Sequence, residues 1–456
     1  MIVMKFGGTS VESAAAIARV TSIVHARLEC RPVVVVSAMG ETTQKLLAIG
    51  ADAAGGRKQQ ALAQLGELQE YHRREARPVV STANQKELDG ILKEHFRELA
   101  VLVEQLEASK EFAPRSSDAL ASYGERISSR ILALALRHAG MRSAHLDARE
   151  LIVTDRRHTQ AAPVFRETYA RLARTIPPLA QESVVVLGGY IGRSEDGATT
   201  TLGRGGSDFT ASLVGAGVGA QEIQIWTDVD GMLTCDPNLV PGAHRVKTIS
   251  FAEAAELAYF GAKVLHPAML LPAAERNIPV RILNSRRPEA PGTRIVADSV
   301  PCKNVIKSIA CKRNITIVNI QSARMLMAHG FLRRIFEVFD RYETPVDMLA
   351  TSEVSVSLTI DTSARLAEIC AELRQFSEAT VEKDQAILCV VGDNIRYTPG
   401  VAARVFGALQ GVNVRMISQG ASLLNLSFVV AGEDVVKAAG LLHREFFASL
   451  DPAVFD

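Results

Sequence analysis

Runs of residues that are apolar at nearly every position, separated by stretches of helical spacing, dominate the first two-thirds of the chain. MIVMKF (1–6) is followed by Ile17, Val20 and Val24 at helical intervals and then by PVVVVS (32–37). A strand with no polar face cannot border water, so such runs belong in a parallel sheet covered by helices on both faces. Further runs stand at SVVVLGG (183–189), EIQIWTD (222–228) and VRIL (280–283), and the expected class is α/β. The stretch 57–112 is rich in Ala, Leu, Glu, Gln and Arg, and it reads as a helical insertion on that core. Ser250 with Glu253 reads as a capping box at the head of FAEAAELAYF.

After the turn-forming segment RRPEAPGT (286–293) the strands and helices shorten, which sets a domain boundary there and an N-terminal domain of 1–296. The remainder carries an internal repeat. In GFLRRIFEVF, which starts at Gly330, the apolar positions are Phe331, Leu332, Ile335, Phe336, Val338 and Phe339, and adding 70 to each number gives Val401, Ala402, Val405, Phe406, Ala408 and Leu409 behind Gly400. Each helix leads to an alternating strand: Val354, Val356, Leu358 and Ile360 in the first copy, Leu424, Leu426 and Phe428 in the second. Two copies of a small α+β unit, 305–384 and 385–456, are the economical reading, with insertion of one into the other left open.

The 456 residues suffice for two to four domains at roughly 100 to 200 residues each. Lys and Arg number 51 against 50 Asp and Glu, a formal charge of +1, which disfavours a broad nucleic-acid or membrane-surface footprint. No apolar run approaches the ~18 to 20 residues that cross a bilayer, and MIVMKFGGTS lacks the basic head and apolar core of a signal peptide. Six scattered cysteines show no CxxC and no zinc spacing. Free thiols in a reducing cytoplasm, without a structural metal, are therefore expected.

Several segments carry chemistry. KFGGTS (5–10) ends a buried strand and is expected to open a helix whose first turn holds Glu12; two glycines admit an anion to the backbone and Lys5 adds a cation. It is neither a Walker A loop nor a dinucleotide fingerprint, and a glycine turn with a solvated lysine is the plain alternative. TTTLGRGGSD (199–208) packs four hydroxyls, three glycines, a guanidinium and a carboxylate between a strand and a helix. It offers many donors to phosphoryl or carboxylate oxygens. WTDVDG (226–231) closes a strand with two acids, at the sheet edge where ligands bind; taken singly, Asp228 and Asp230 are turn-formers as readily as ligands. In ASYGERISSRIL, Glu125 falls on a helix, where an acid defaults to an exposed face. In FGAKVLHP (260–267), Lys263 follows a helix, and His266 before a proline reads as structural.

KFGGTSV, VVSAMGETT (35–43), SYGER (122–126), TTTLGRGGSD, WTDVDG and FGAKVLHP, in this order, closely resemble the aspartokinases of the amino-acid kinase family. The repeated tail resembles ACT domains, and MLMAHGFL (325–332) with VDMLATSEVSVSLTID (346–361) resembles the lysine-sensitive monofunctional branch most. The resemblance implies an amino-acid-kinase-like, mostly parallel sheet with helices on both faces, followed by two ferredoxin-like ACT units. It implies phosphorylation of the β-carboxylate of L-aspartate by Mg-ATP, giving 4-phospho-L-aspartate, the first step toward lysine, threonine and methionine. No tightly bound organic cofactor is implied, and Mg²⁺ is carried by ATP. Lys5 and Asp208 fall on the catalytic positions; Thr43, Glu125, Arg204 and Ser207 on substrate positions; and Lys5, Gly7, Gly8, Thr227, Asp228 and Lys263 on nucleotide positions. A zwitterionic substrate needs one anion and one cation, and Glu125 with Arg204 supplies both.

For the tail, the resemblance implies L-lysine as effector, and a homodimer or homotetramer formed through the ACT units. The matching positions are Met325, Phe331, Leu332, Val346, Asp347, Thr351, Ser352 and Glu353, with Asp347 and Glu353 as anchors for an ammonium; Phe331, Leu332 and Val346 read equally as core. The sequence departs from the branch at Leu233, where tyrosine is usual, at Asn238, where arginine is usual, and at Pro345 in place of serine. Two rivals are an acyl-phosphate-forming kinase of the same fold acting on glutamate or acetylglutamate, and a catalytically silent amino-acid-binding regulator. The charged set Lys5, Glu125, Arg204, Asp208 and Lys263 speaks against the silent regulator.

Overall fold

The structure, a computed structural model, describes residues 1–261, 267–298, 301–322, 329–361 and 364–456. The chain divides into two compact units, Met1–Met232 with Val264–Asp298, and Leu233–Lys263 with Ser299–Asp456. The segment 233–263, which the sequence reading assigns to the N-terminal domain, thus groups with the tail. No helix among the described residues is long and apolar enough to cross a membrane.

In the first unit the strands Ser143–Leu146, Val184–Gly188, Pro32–Val36, Ile2–Phe6, Glu222–Thr227 and Val280–Asn284 lie side by side in that order, all parallel, and Thr293–Val296 adds an antiparallel neighbour. Ile2, Met4 and Phe6, with Val34, Val36, Val184 and Val186, join a core with the helices Ala14–His25 and Pro114–His138. Val3, Val33, Val35, Val185 and Leu187 are equally buried and point to the other side of the sheet. There the helix Gly206–Val218 comes so close that a Cβ on Gly215 would meet the Ile223 side chain at 2.5 Å. Burial on both faces is why these strands lack polar alternation. The helical insertion forms as expected, as Lys58–Ala76 and Gln85–Ser109, which bury Leu65, Leu68, Leu92, Phe96 and Leu99.

One local expectation fails. Glu12 does not lie in the first turn of a helix: Gly8–Ser10 makes a single 3₁₀ turn, and the α-helix starts only at Ala14, where the Ser13 hydroxyl accepts from Ala16 N and caps it. Ser13 competes for the cap position because its side chain satisfies an orphan N–H that Glu12 cannot reach from outside. The capping box at Ser250 and Glu253 is present in full.

The C-terminal unit is an antiparallel sheet in the order Met348–Thr351, Ser355–Asp361, Ser308–Gln321, Glu378–Val391, Asn425–Ala431, Met416–Gln419. Its two long strands serve both repeats. Residues 315–321 pair with 355–361 and 378–385, whereas 308–312 pair with 387–391. The register shifts between Lys312 and Ile315, beside Asn314 at a left-handed φ of 60°. The first repeat is therefore inserted into the second, and 308–312, read from sequence as part of the first, complete the second.

The repeat helices Phe331–Arg341 and Val401–Ala408 both start behind glycines in the left-handed region, Gly330 at φ 80° and Gly400 at φ 82°, which explains the glycine at the same offset in each copy. The apolar positions do not all share one buried face. Phe331, Ile335, Val338 and Phe339 are core, while Leu332 and Phe336 are 39% and 40% exposed, because residues four apart stack on the far side of the helix.

Helix Phe251–Tyr259 is tied to the sheet by an ion pair without solvent contact: Lys307 Nζ lies 2.8 Å from Glu253 Oε1, with the two side chains 1% and 0% exposed. The other carboxylate oxygen accepts from the backbone N–H and hydroxyl of Ser250. Removing one partner of such a pair strands a buried charge at a cost of ~3–5 kcal/mol. The expected outcome for Lys307→Met is a loss of that size in urea denaturation, with most of it recovered when Glu253→Gln is added.

Candidate active site

The strands of the first unit end on one edge, and the motif loops leave from it. Lys5 is the penultimate residue of the central strand, paired in register with Val35 and Ile225, and is 8% exposed. Its Nζ lies 2.6 Å from Oδ1 of Asp208. Asp208 sits in the first turn of Gly206–Val218, where the positive end of the helix dipole also favours an anion. Gly203 (φ 75°) and Gly205 (φ 72°) turn the preceding loop left-handed, bringing Arg204 and Ser207 to the same opening. The KFGG loop lies backbone to backbone on the SAMG loop: Gly40 N donates to Gly8 O at 3.1 Å, and a Cβ on Gly8 would fall 3.0 Å from the carbonyl oxygens of Ala38 and Gly40.

Glu125 does not take the exposed face to which an acid on a helix defaults. The helix Pro114–His138 is embedded, and Glu125 lies on its inward face, 3% exposed. Oε1 accepts from Ala38 N at 3.1 Å; Oε2 has no hydrogen-bond partner among the described residues. Burial pushes its pKa up to about 8, against a smaller downward pull from the Ala38 N–H. Gly188 makes room for it, since a Cβ there would meet that of Glu125 at 2.9 Å.

Lys5, Gly8, Thr43, Glu125, Arg204, Ser207 and Asp208 all line one cavity of about 450 Å³, together with Thr159 and Tyr190. Arg204 is exposed at its rim, and Thr43 is half-buried. A second cavity of about 750 Å³ shares Gly8, Gly40 and Gln44 with the first and adds Gly7, Thr9, Glu12, Thr227 and Asp228. All the described residues expected to contact substrate or nucleotide therefore fall on two adjoining hollows. Lys263, like His266, lies outside the described residues. Asp230 is a turn residue, held by Asn284 Nδ2 at 2.7 Å and by Arg287.

The sequence reading passes over Lys45, Tyr71, Tyr190 and Asp118. Lys45, on the helix Thr42–Ala54, and Tyr71, from the helical insertion, line the second cavity, with the Tyr71 hydroxyl donating to Glu12 O at 2.6 Å. No motif signals them, because they arrive from elements that look like plain helix. Asp118 leaves a signal: it stands seven residues before Glu125, two turns along the same helix face.

In the tail, Phe331 is core, Val346 packs against that core, and Leu332, Thr351, Ser352 and Glu353 are exposed. Met325 lies outside the described residues. Asp347 is already engaged: Lys312 Nζ lies 2.8 Å from both carboxylate oxygens and 3.0 Å from Asp361, and the Tyr259 hydroxyl is 3.3 Å from Asp347 Oδ1.

The raised pKa of Glu125 has a stability consequence of fixed sign. The folded state holds its proton up to about pH 8 while the unfolded chain releases it near 4.5, so the group's contribution is unpenalised below 4.5 and stability falls as pH rises from there to about 8. The melting temperature of the ligand-free protein is expected to show this decline, and Glu125→Gln to flatten it; an unchanged profile in the variant would contradict the assignment.

Comparison with known proteins identifies the family. Residues 1–284 match the amino acid kinase family and residues 388–446 an ACT domain. Aspartokinase 2 (chloroplastic) of Arabidopsis thaliana is 40% identical over 472 residues, covering 99% of this chain and 85% of that protein. Lysine-sensitive aspartokinase 3 of Escherichia coli K12 is 36% identical over 457 residues, 98% of this chain and 99% of that one. Among solved structures, E. coli aspartokinase III in complex with aspartate and ADP (R-state) is similar at a TM-score of 0.85 and 35% identity, covering 98% of this chain and 100% of that one. The same enzyme in complex with lysine and aspartate (T-state) gives 0.82 at 35% identity, covering 98% and 99%. On these matches the chain belongs to the aspartokinase family, with an ATP-using aspartate kinase activity and ACT-type regulatory units.

Proposed function

We propose that the first cavity transfers the γ-phosphoryl group of MgATP to the β-carboxylate of L-aspartate, giving 4-phospho-L-aspartate and ADP. The observation that carries this reading is the charge layout: the Lys5–Asp208 contact with Glu125 and Arg204 around one hollow. A β-carboxylate oxygen attacks the γ-phosphorus in line as the bond to the β-phosphate oxygen breaks, and the leaving electrons stay on ADP. Such a reaction needs positioning and charge neutralisation more than covalent help. Lys5 bridges the acceptor carboxylate and the phosphoryl oxygens. Arg204 grips the α-carboxylate as a two-pronged donor, with the hydroxyls of Thr43 and Ser207 beside it. Glu125 receives the α-ammonium on its unpaired oxygen, and the incoming cation favours its ionised form. Holding both ends of the amino acid limits reach, and one extra methylene, as in glutamate, is worth ~1–3 kcal/mol against binding.

In this reading Gly7, Gly8, Thr227 and Asp228 line the nucleotide side, with Lys263 as a further contact, and Mg²⁺ arrives on the phosphates. Among the described residues no three His, Cys, Asp or Glu side chains cluster to hold a metal ion. A cation that keeps its waters and asks for one or two carboxylates beside phosphate oxygens suits that donor set. Asp208 is the residue that would meet it, and the bound ion would neutralise phosphate charge.

We also propose L-lysine as the effector, acting at the ACT units of a homodimer or homotetramer, with the enzyme serving the first step toward lysine, threonine and methionine in the cytoplasm. The E. coli relative's lysine sensitivity supports this. Because Lys312 already holds Asp347, an arriving ammonium has to exchange with an internal one. Inhibition then requires tighter binding to the less active state, commonly by ~1–3 kcal/mol.

Lys5→Ala is expected to lower kcat by at least ~10²–10³-fold with an unchanged circular dichroism spectrum; wild-type turnover would sink the catalytic reading. Titration of activity with lysine, threonine and both is expected to show inhibition by lysine, and a flat response to all three would remove the regulatory one.

A further inference from the structure

A carboxylate that the phosphoryl-transfer reading does not use lies behind the cavity wall. Asp118 is 1% exposed, two turns before Glu125 on the same helix face. A buried acid is costly unless its lone pairs are filled, and Asp118 fills them from two directions. From the loop 155–162, Thr159 N donates to both oxygens at 3.0 Å, and His158 Nδ1 lies 2.7 Å from Oδ2. From the strand Thr199–Thr201, the Thr201 hydroxyl donates to Oδ1 at 2.5 Å. The same two segments are joined by Ala161 N donating to Thr201 O at 2.9 Å, and Thr154, just before the loop, adds a hydroxyl contact to Thr200 at 2.7 Å.

What these donors have in common is where they lead. Thr159 lines the cavity, and its φ of 70° is left-handed, a conformation that a β-branched residue keeps only when its surroundings fix it. Gly203, two residues beyond Thr201, also lines the cavity, and a Cβ on it would lie 3.2 Å from the Thr159 carbonyl oxygen. Arg204 comes next in the chain. A displaced Thr159 therefore pushes on the backbone that carries the guanidinium.

We infer that Asp118 is a positioning residue: by clamping Thr159 and Thr201 it sets the place of Arg204, and so governs how the enzyme holds the α-carboxylate of its amino-acid substrate. This rests on the reading of Arg204 as the carboxylate clamp. Asp118 touches no substrate, and the nucleotide hollow is built from other loops, so its loss falls on one substrate only.

Steady-state kinetics test this with aspartate and ATP varied separately. Asp118→Asn keeps the shape but loses one strong acceptor, and a misplacement of about 1 Å is expected to lower kcat/KM for aspartate by up to ~100-fold, through KM, with KM for ATP unchanged. Thr201→Val removes a single donor from the same clamp and is expected to act in the same direction, while Thr201→Ser, which restores the hydroxyl, returns the wild-type value. If Asp118→Asn does not fold, the Thr201 pair decides. Wild-type KM for aspartate in Thr201→Val, or equal rises in both KM values, overturns the inference. Arg204→Ala separates the two layers: a raised aspartate KM there with no effect of Thr201→Val sinks only the role of Asp118, whereas an unchanged KM in Arg204→Ala sinks the clamp reading beneath it.

Discussion

An ammonium group on the central strand of a sheet buried on both faces needs an anion within reach, and the contact of Lys5 with Asp208 at 2.6 Å supplies it. Much of the first unit is arranged around that requirement. The lysine must come at the carboxyl end of the strand, where the apolar cover stops. The acid must come from a helix that starts at the same edge, which fixes the short loop with two left-handed glycines in front of Gly206–Val218. Backbone then has to approach backbone around the pair, and glycines stand where a Cβ would collide: Gly8 against the Ala38 and Gly40 carbonyls, Gly188 against Glu125.

Two buried glutamates in this chain show how differently one residue type can be treated. Glu253 is fully compensated, by Lys307 on one oxygen and by Ser250 on the other, and it belongs to the architecture. Glu125 is equally buried but only half satisfied. The fold tolerates the second case at a cost in stability, which is the usual signature of a group kept for a ligand.

Much of this was legible in the chain. Unbroken apolar strands announced the parallel sheet, the offset of 70 announced the repeat, and Ser250 with Glu253 announced a capped helix. What could not be read depended on tertiary partners. Glu125 looks like any acid on a helix until the helix proves to be embedded. Asp347 looks free until Lys312, far away in sequence, closes on it. The insertion of one repeat into the other depends on which half of a long strand pairs with which neighbour, and strand composition does not encode pairing. Leu332 and Phe336 stay outside the core because six apolar positions in nine residues exceed what one helix face can bury.

The two 14-residue strands Ser308–Gln321 and Glu378–Val391 pass through both repeats without interruption. Neither repeat owns a complete set of strands, so the pair cannot behave as beads on a string. Peeling away 425–431 would bare one side of 385–391 and weaken its grip on 308–312, and the disturbance would travel along continuous backbone into the other copy. Shared strands of this kind couple the unfolding of the two repeats. The two repeats thereby form a single folding object, one that truncation between them could not divide into working halves.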